Sequence, residues 1–279
     1  MLLEVLEEPL LRSVRNALSE DIGSGDITAA LIPKNEVAHA TLISRESAIL
    51  CGMAWFNAVF AELDTGITID WKTRDGVSIQ AGQTLCSVHG PAAHILTGER
   101  TALNFLQSLS GTATLARRYA DAVSGLAVKV LDTRKTIPGL RQAQKYAVRV
   151  GGCHNHRMGL YDGILIKENH IASAGSIERA VRTARQKNPA VPIEVEVETE
   201  TQILEALEAG ADILLLDNFS TEALIDAVRL TSSRARLEAS GGVTLENIRS
   251  IAQTGVDYIS VGALTKNLHA IDLSMRFQR

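Results

Sequence analysis

Ile193-Glu194-Val195-Glu196-Val197, followed by the amphipathic pattern Thr201–Ala209 and then by Asp212-Ile213-Leu214-Leu215-Leu216-Asp217, reads as strand, helix and strand. Short aliphatic runs separated by one helix of amphipathic sequence are the mark of βαβ units. The alternation extends both ways: Val128–Leu131 and Gly163–Ile166 come before, Leu237–Ala239 and Tyr258–Val261 after. Helical patterns at Thr221–Leu230, with Ser220 as its N-cap, and at Leu245–Thr254 separate the later runs. Most of the runs are apolar on both faces, as parallel strands covered on both sides should be. Six repeats fall short of a complete β/α barrel, which takes about 250 residues. Residues 112–279 therefore read as an open, incomplete β/α barrel, with a doubly wound sheet as the structural alternative.

Residues 1–111 have a different texture. A helix is expected around Pro9–Ser19 and another around Trp55–Glu62, with strands at Ala40–Ile43, Ile67–Lys72 and Leu85–Val88. Gly76 and Gly82 punctuate the later strands as turn residues. A long helical stretch from His94 to Ser108 closes this α+β half, and the domain boundary is placed at Gly111. The last apolar stretch, Leu273–Phe277, is expected to dock back on the first domain.

Composition narrows the class. A chain of 279 residues is long enough for a well-buried core and for two domains. The formal net charge of −4 gives no electrostatic reason to expect nucleic acid or an anionic membrane as partner. Any anionic ligand must meet a local basic cluster. The three cysteines, Cys51, Cys86 and Cys153, are odd in number and far apart, which argues against a disulfide framework and for the cytoplasm. The opening residues from Met1 to Ser13 carry acids where a signal peptide needs bases, and no apolar run approaches a membrane span of about 18 residues.

In parallel α/β folds ligands sit at the carboxyl ends of the strands, so the residue after each apolar run is the informative one. After the first run come Thr133, Arg134 and Lys135; after the second, Lys167; near the end of the third, Glu196; after the fourth, Asp217. Ser240-Gly241-Gly242 follows the fifth and Gly262 the sixth, each shortly before an expected helix. Glycine lets the backbone approach an oxyanion, and a following helix start adds positive potential, so both turns suit phosphate. The bland alternatives stand beside this reading. Ser240-Gly241-Gly242 is also an ordinary tight turn, and Lys167, Glu196 and Asp217 also make a structural salt-bridge ring.

Cys153-His154-Asn155-His156 contains zinc-ligating residue types, but structural zinc sites take ligands in separated pairs, and Arg157 would repel a dication. His156 with Arg157 suits an anion clamp instead, because a guanidinium fork matches a carboxylate. Ile213-Leu214-Leu215-Leu216-Asp217-Asn218 partly matches the apolar-run-then-acid element of the common phosphoribosyltransferase fold, yet the second acid and the Gly/Thr loop are missing.

Six segments in order carry a family resemblance: Glu20–Thr28, Gly98–Asn104, Asp132–Thr136, Asn155–Arg157, Ile166–His170 and Ser260–Leu264. Together, and nearly end to end, the chain resembles the quinolinate phosphoribosyltransferases. The resemblance implies an N-terminal α/β sandwich, a C-terminal open barrel, and a homodimer whose barrel mouths are each covered by the partner's N-terminal domain. It implies transfer of phosphoribose from phosphoribosyl pyrophosphate to quinolinate with decarboxylation, in NAD biosynthesis. It also implies a quinolinate pocket of Arg134, His156, Arg157 and Lys167, with Arg100 from the neighbouring subunit. The phosphoribosyl pyrophosphate side would be Thr133, Lys135, Glu196, Asp217, Ser240, Gly241, Gly242 and the turn Val261, Gly262, Ala263. Mg²⁺ would bridge Glu196 and Asp217 to the substrate through its oxygens and water, and Lys135, Glu196 and Asp217 would carry the chemistry. Lys266 stands where some relatives have histidine and keeps a donor near the pyrophosphate. Two rivals remain open: a phosphoribosyl transfer to another aromatic acid without loss of CO₂, and a non-catalytic sensor of phosphorylated ligands.

Overall fold

The structure is a computed structural model and describes residues 7–33 and 35–277; the opening six residues on which the leader reading partly rests lie outside them. In chain order the regular elements begin with α1 (Glu7–Ile22), β1 (Val37–Ser44), β2 (Ala48–Ile49), α2 (Met53–Leu63), β3 (Thr68–Trp71), β4 (Ser78–Ile79), β5 (Thr84–Pro91) and α3 (Ala92–Ala122). They continue with β6 (Lys129–Leu131), α4 (Arg141–Val150), β7 (Ile164–Ile166), α5 (Glu168–Ala174), α6 (Ile177–Lys187), β8 (Ile193–Val197), α7 (Glu200–Glu208) and β9 (Ile213–Asp217). The last are α8 (Thr221–Thr231), β10 (Arg236–Ser240), α9 (Ile248–Ala252), β11 (Tyr258–Ser260), α10 (Ala263–Lys266) and β12 (Leu273–Phe277). The chain divides into two compact units. One holds the described residues up to Arg117 with Ile137–Gly152 and the end from Asn267; the other holds Arg118–Thr136 and Cys153–Lys266.

The first unit is built on an antiparallel sheet in the order β12-β1-β5-β3. Along β1 exposed and buried residues alternate, the pattern of a strand with one face on a core. Ala40 and Leu42 point into that core, where they join Trp55, Phe56 and Phe60 of α2 and Leu103 and Leu106 of α3. Each such buried large side chain stabilises the fold by roughly 1.5–3 kcal/mol. The C-terminal strand β12 pairs antiparallel with β1, Met275 opposite Leu42, so the end of the chain completes this sheet. The buried Asp75 carboxylate accepts the N–H groups of Gly52 and Met53 at the start of α2 and the Tyr146 hydroxyl at 2.8 Å. Burial raises its pKa, and these donors oppose that shift.

The helix expected to stop before Gly111 runs on to Ala122. Gly111 has a packing reason and not a terminating one: a Cβ there would lie 1.9 Å from the carbonyl oxygen of His269. The chain must pass that close for Ile271 N–H to reach the Gln107 carbonyl at 3.2 Å.

The second unit is a six-stranded parallel sheet in the order β6-β11-β10-β9-β8-β7. Read from β7, the strands follow chain order and close with the first, β6, placed beside the last. That cyclic order belongs to a barrel opened between its first and second strands. A doubly wound sheet would reverse direction in the middle. β6 and β7 are the two edges, so the barrel is not closed. Val195, Val197, Leu214, Leu216, Leu237 and Ala239 are buried. Ser176, Thr199 and Ser220 cap α6, α7 and α8 through side-chain oxygens that accept backbone N–H groups three residues on.

Gly111→Ala should destabilise the protein by about 1–3 kcal/mol through overpacking against backbone that cannot move aside. Urea unfolding followed in the far ultraviolet measures it; an unchanged midpoint would show that His269 gives way freely.

Candidate active site

In a parallel ladder, residues paired in register share a face of the sheet, and faces alternate along each strand. Glu194 pairs with Ile213, Glu196 with Leu215, Leu215 with Glu238, and Asp217 with Ser240. Ile166 pairs with Val195, so Lys167 comes level with Glu196. The carboxyl ends of β7 to β10 thus present Lys167, Glu196, Asp217 and Ser240 on one face. Glu194 and Glu238 lie one step further down that face. These strands are not apolar on both sides, as their sequences suggested; one face carries a graded column of acids.

At the rim, the Lys167 ammonium and the Glu196 carboxylate form an ion pair. Asp217 accepts from the Asn218 side-chain amide at 2.8 Å. Asn218 has a left-handed backbone, φ 59°, and its N–H donates to the Ser240 carbonyl at 2.8 Å. Its amide oxygen is why Gly241 must be glycine: a Cβ there would lie 2.1 Å from it, at φ +94°. On the far side of the turn, Asn247 donates to the Gly242 carbonyl at 2.9 Å. The Ser240-Gly241-Gly242 turn is therefore held at both ends by asparagines.

Lys135 reaches the second glycine turn. A Cβ on Gly262 would meet Lys135 Cδ at 3.2 Å and Thr133 Oγ1 at 3.8 Å. Thr133 Oγ1 accepts the Lys135 N–H at 3.1 Å, and the Thr265 hydroxyl donates to the Lys135 carbonyl at 2.8 Å. Val261 is buried below this turn, Ala263 opens α10 and exposed Lys266 ends it. The helices expected to follow the two glycine turns are short. α9 begins only at Ile248 and α10 spans four residues. So little aligned dipole is available, and any attraction for phosphate must come from turn amides and lysines.

Arg134 and Arg157 stand near enough to repel each other. The Arg157 guanidinium is driven below its ordinary pKa by burial first and by Arg134 second, with Glu194 and Asp162 opposing. It donates to the Gly163 carbonyl at 3.0 Å, while the buried Nε of Arg134 has no hydrogen-bond partner among the described residues. Two half-buried guanidiniums with a spare donor form a seat for an anion.

Below them a cluster absent from the sequence reading appears. The His156 ring nitrogen Nε2 lies 2.9 Å from Glu194 and 3.6 Å from Glu238, and the three ligating groups fall within 4.8 Å of one another. Glu194 and Glu238 are 4% and 1% exposed, too buried for both to carry charge at low cost. Burial, then the neighbouring Glu194, pushes Glu238 up to about 8, so it holds its proton at neutral pH. Asp132, also fully buried, accepts the His156 backbone N–H at 3.0 Å and the Asn155 amide at 2.5 Å. Cys153 and His154 are not part of that cluster; Cys153 is buried and in no disulfide, and His154 is exposed.

Of the residues singled out by sequence, the second unit gathers Thr133, Arg134, Lys135, His156, Arg157, Lys167, Glu196, Asp217, Ser240, Gly241, Gly242, Val261, Gly262, Ala263 and Lys266. Arg100 is exposed on α3 and belongs to the first unit. The sequence reading assigns no site role to Asn218, Glu238 or Asp132, and the alternation of Glu194, Glu196 and Glu198 on one face of β8 favours a structural salt-bridge role for one or two of these acids.

An open β/α barrel whose strand ends carry an anion seat beside acids and two glycine turns defines a class, enzymes that handle phosphorylated or carboxylated small molecules. Residues 26–110 match the N-terminal domain and residues 112–276 the C-terminal domain of quinolinate phosphoribosyl transferase. The chain is 44% identical to the probable nicotinate-nucleotide pyrophosphorylase (carboxylating) of Bacillus subtilis, over 92% of this chain and 89% of that one. It is 41% identical to the nicotinate-nucleotide pyrophosphorylase (carboxylating) of Mycobacterium leprae, over 94% and 95%. The solved nicotinate-nucleotide pyrophosphorylase of Francisella tularensis superposes with a TM-score of 0.93 at 48% identity, covering 97% and 96% of the two chains. The chain belongs to the quinolinate phosphoribosyltransferase family.

The raised pKa of Glu238 fixes the sign of one pH effect. Between its ordinary value and about 8 the folded state keeps a proton that the unfolded state has lost. This group therefore costs stability increasingly as pH rises through that window. Glu238→Gln removes the cost, so its melting temperature minus that of the native protein should grow from pH 5 to pH 8 in scanning calorimetry. A difference that shrinks over that range would contradict a protonated Glu238.

Proposed function

We propose that the protein transfers phosphoribose from phosphoribosyl pyrophosphate to the ring nitrogen of quinolinate, with loss of CO₂, giving nicotinate mononucleotide and pyrophosphate in NAD biosynthesis. Family membership supports the reaction, and one observation carries the site: Arg134 and Arg157, half-buried and mutually repelling, with a buried Arg134 donor that meets no partner among the described residues. An acid with two adjacent carboxylates relieves that repulsion and takes the spare donor. Lys167 supplies a third cation, and the partner subunit's Arg100 a fourth in a homodimer whose sites are shared.

On the other side Lys135, the two glycine turns and Lys266 hold the phosphates, while Glu196 and Asp217 hold the ribose hydroxyls. Glu196 and Asp217 are hard oxygen donors at adjacent strand ends, and Asp217 keeps one oxygen clear of its bond to Asn218. That donor set fits Mg²⁺, which prefers one or two carboxylates plus substrate oxygens. When bound, the ion would neutralise charge on the leaving pyrophosphate.

The chain's own contribution is positioning and electrostatics. Arg134, Arg157 and Lys167 orient the acid so that its nitrogen lone pair faces the anomeric carbon. The nitrogen–carbon bond forms as the carbon–oxygen bond to pyrophosphate breaks, and Glu196 or Asp217 steadies the positive charge that builds on the sugar. The ring is then a pyridinium. The bond to the neighbouring carboxylate breaks, CO₂ leaves, its electron pair stays on the ring carbon, and a proton replaces it. All three cysteines are buried and none forms a disulfide among the described residues, which suits a cytoplasmic enzyme. Among the described residues no helix is long and apolar enough to cross a membrane.

Incubation with quinolinate, phosphoribosyl pyrophosphate and Mg²⁺ should yield nicotinate mononucleotide by mass analysis, with CO₂ and pyrophosphate in equal amounts; pyrophosphate without CO₂ would refute the decarboxylating reading. Lys167→Ala removes a charge-assisted bond of about 1.5–3 kcal/mol, so kcat/KM for quinolinate should drop about 10- to 150-fold. Mixing Arg100→Ala with Lys167→Ala protein should restore activity, since each mixed dimer keeps one intact site. No recovery despite subunit exchange would place Arg100 outside the partner's site.

A further inference from the structure

In an extended strand neighbouring side chains point to opposite faces, so the residue after Asp217 should turn away from it. Asn218 does not. Its left-handed backbone, φ 59°, bends the chain at the end of β9, and its side-chain Nδ2 donates to Asp217 Oδ2 at 2.8 Å. Among the described residues that is the only hydrogen bond the Asp217 carboxylate accepts. Asparagine is one of the few residues with a side chain that adopts this conformation readily, because its short polar group bonds locally.

Two contacts from the next strand hold Asn218 in that conformation. Its backbone N–H donates to the Ser240 carbonyl at 2.8 Å, which carries the β9–β10 pairing of Asp217 with Ser240 one step further. Its amide oxygen lies where a Cβ on Gly241 would go, so Gly241 is the residue that leaves room for it. The side-chain amide thus has one end against the glycine turn and the other on the acid. With Oδ2 taken, Oδ1 of the half-exposed Asp217 is the oxygen that stays open to a ligand. A half-exposed aspartate with no bond to fix it would sample several rotamers, and binding would have to order it.

We propose that Asn218 is a positioning residue for the phosphoribosyl side of the site: pinned by the Ser240-Gly241-Gly242 turn, its amide aims the Asp217 carboxylate at the ribose hydroxyls before the substrate arrives. This rests on the reading of Asp217 above as an acid that holds the ribose. The turn that holds phosphate and the acid that holds the sugar then form one preorganised piece. Gly241 serves a second purpose in it, to admit the amide that joins them.

The test is calorimetry, with phosphoribosyl pyrophosphate and Mg²⁺ added to protein saturated with benzene-1,2-dicarboxylate, an acid that lacks the ring nitrogen and so does not react. Asn218→Gly keeps the left-handed backbone and its N–H but loses the amide. It should weaken phosphoribosyl pyrophosphate about tenfold, as loss of one charge-assisted bond does at its lower limit, while the dicarboxylate binds as in the native protein. Native affinity in Asn218→Gly overturns the proposal. In Asn218→Asp the donor becomes a second carboxylate, so binding relative to the native protein should be weakened at about pH 8 and recover toward about pH 5, where one shared proton restores a donor. A loss equal at both ends of that range contradicts a bond to Asp217. Asp217→Ala combined with Asn218→Gly should bind no worse than Asp217→Ala alone; multiplied losses would mean that Asn218 meets the sugar itself, which defeats the proposal. If the native protein takes up no phosphoribosyl pyrophosphate, the transfer reading fails, and the bond is decided separately by proton spectroscopy of the free protein. There one Asn218 side-chain amide proton, assigned by its loss in Asn218→Gly, should resonate downfield of an exposed amide and move back in Asp217→Ala; an unshifted signal refutes the bond.

Discussion

Parallel register is the constraint on which the site depends. Side chains alternate faces with a period of two, so one face of β8, β9 and β10 must hold Glu194 and Glu196, Leu215 and Asp217, Glu238 and Ser240 together. A slip of one residue in β8 would turn both glutamates toward the covering helices and replace them with Val195 and Val197. The aliphatic residues of the other face hold the register, because their burial is lost in any alternative pairing. Stability and chemistry are therefore specified by opposite faces of the same strands.

The price of that arrangement is buried charge. Two glutamates deep in one layer cannot both ionise, and Glu238 keeps its proton. Two guanidiniums above them repel each other, and burial disfavours the charge of Arg157 further. Such a site is unfavourable until an anion arrives. A dianion entering it replaces repulsion with attraction in a setting partly shielded from water, where each charge-assisted bond counts for more than at an exposed surface. The Lys167–Glu196 ion pair joins the carboxyl ends of β7 and β8 electrostatically.

Some of this was legible in the residues and some was not. The strand runs announced themselves because a βαβ unit repeats a local pattern, and Lys167 and Asp217 were found simply as the first polar residues after such runs. Gly241 was noticed for its phosphate-friendly amides, and the fold adds a packing reason, the Asn218 side chain that lies where a Cβ would go. Asn218 has no local signature, since its left-handed backbone is imposed by the adjoining strand end. Gly111 misled in the other direction. It looked like a helix terminator and is a point of close backbone approach, a distinction that depends on a segment more than 150 residues away in sequence.

By itself the sequence determined the classes of element, their order along the chain, the absence of any strong net charge, and the set of cations and acids available at the strand ends. Those properties are local, set by periodicity and by residue type over a few positions. Only the tertiary structure decided that the sheet is an opened barrel and not a doubly wound one, and which of the alternating glutamates is buried. It also decided that Arg134 lies near enough to Arg157 to repel it and that His156 meets Glu194. Each of these depends on which distant strands are neighbours and in what register, a question settled by the burial of the whole apolar face at once and by no single stretch of chain.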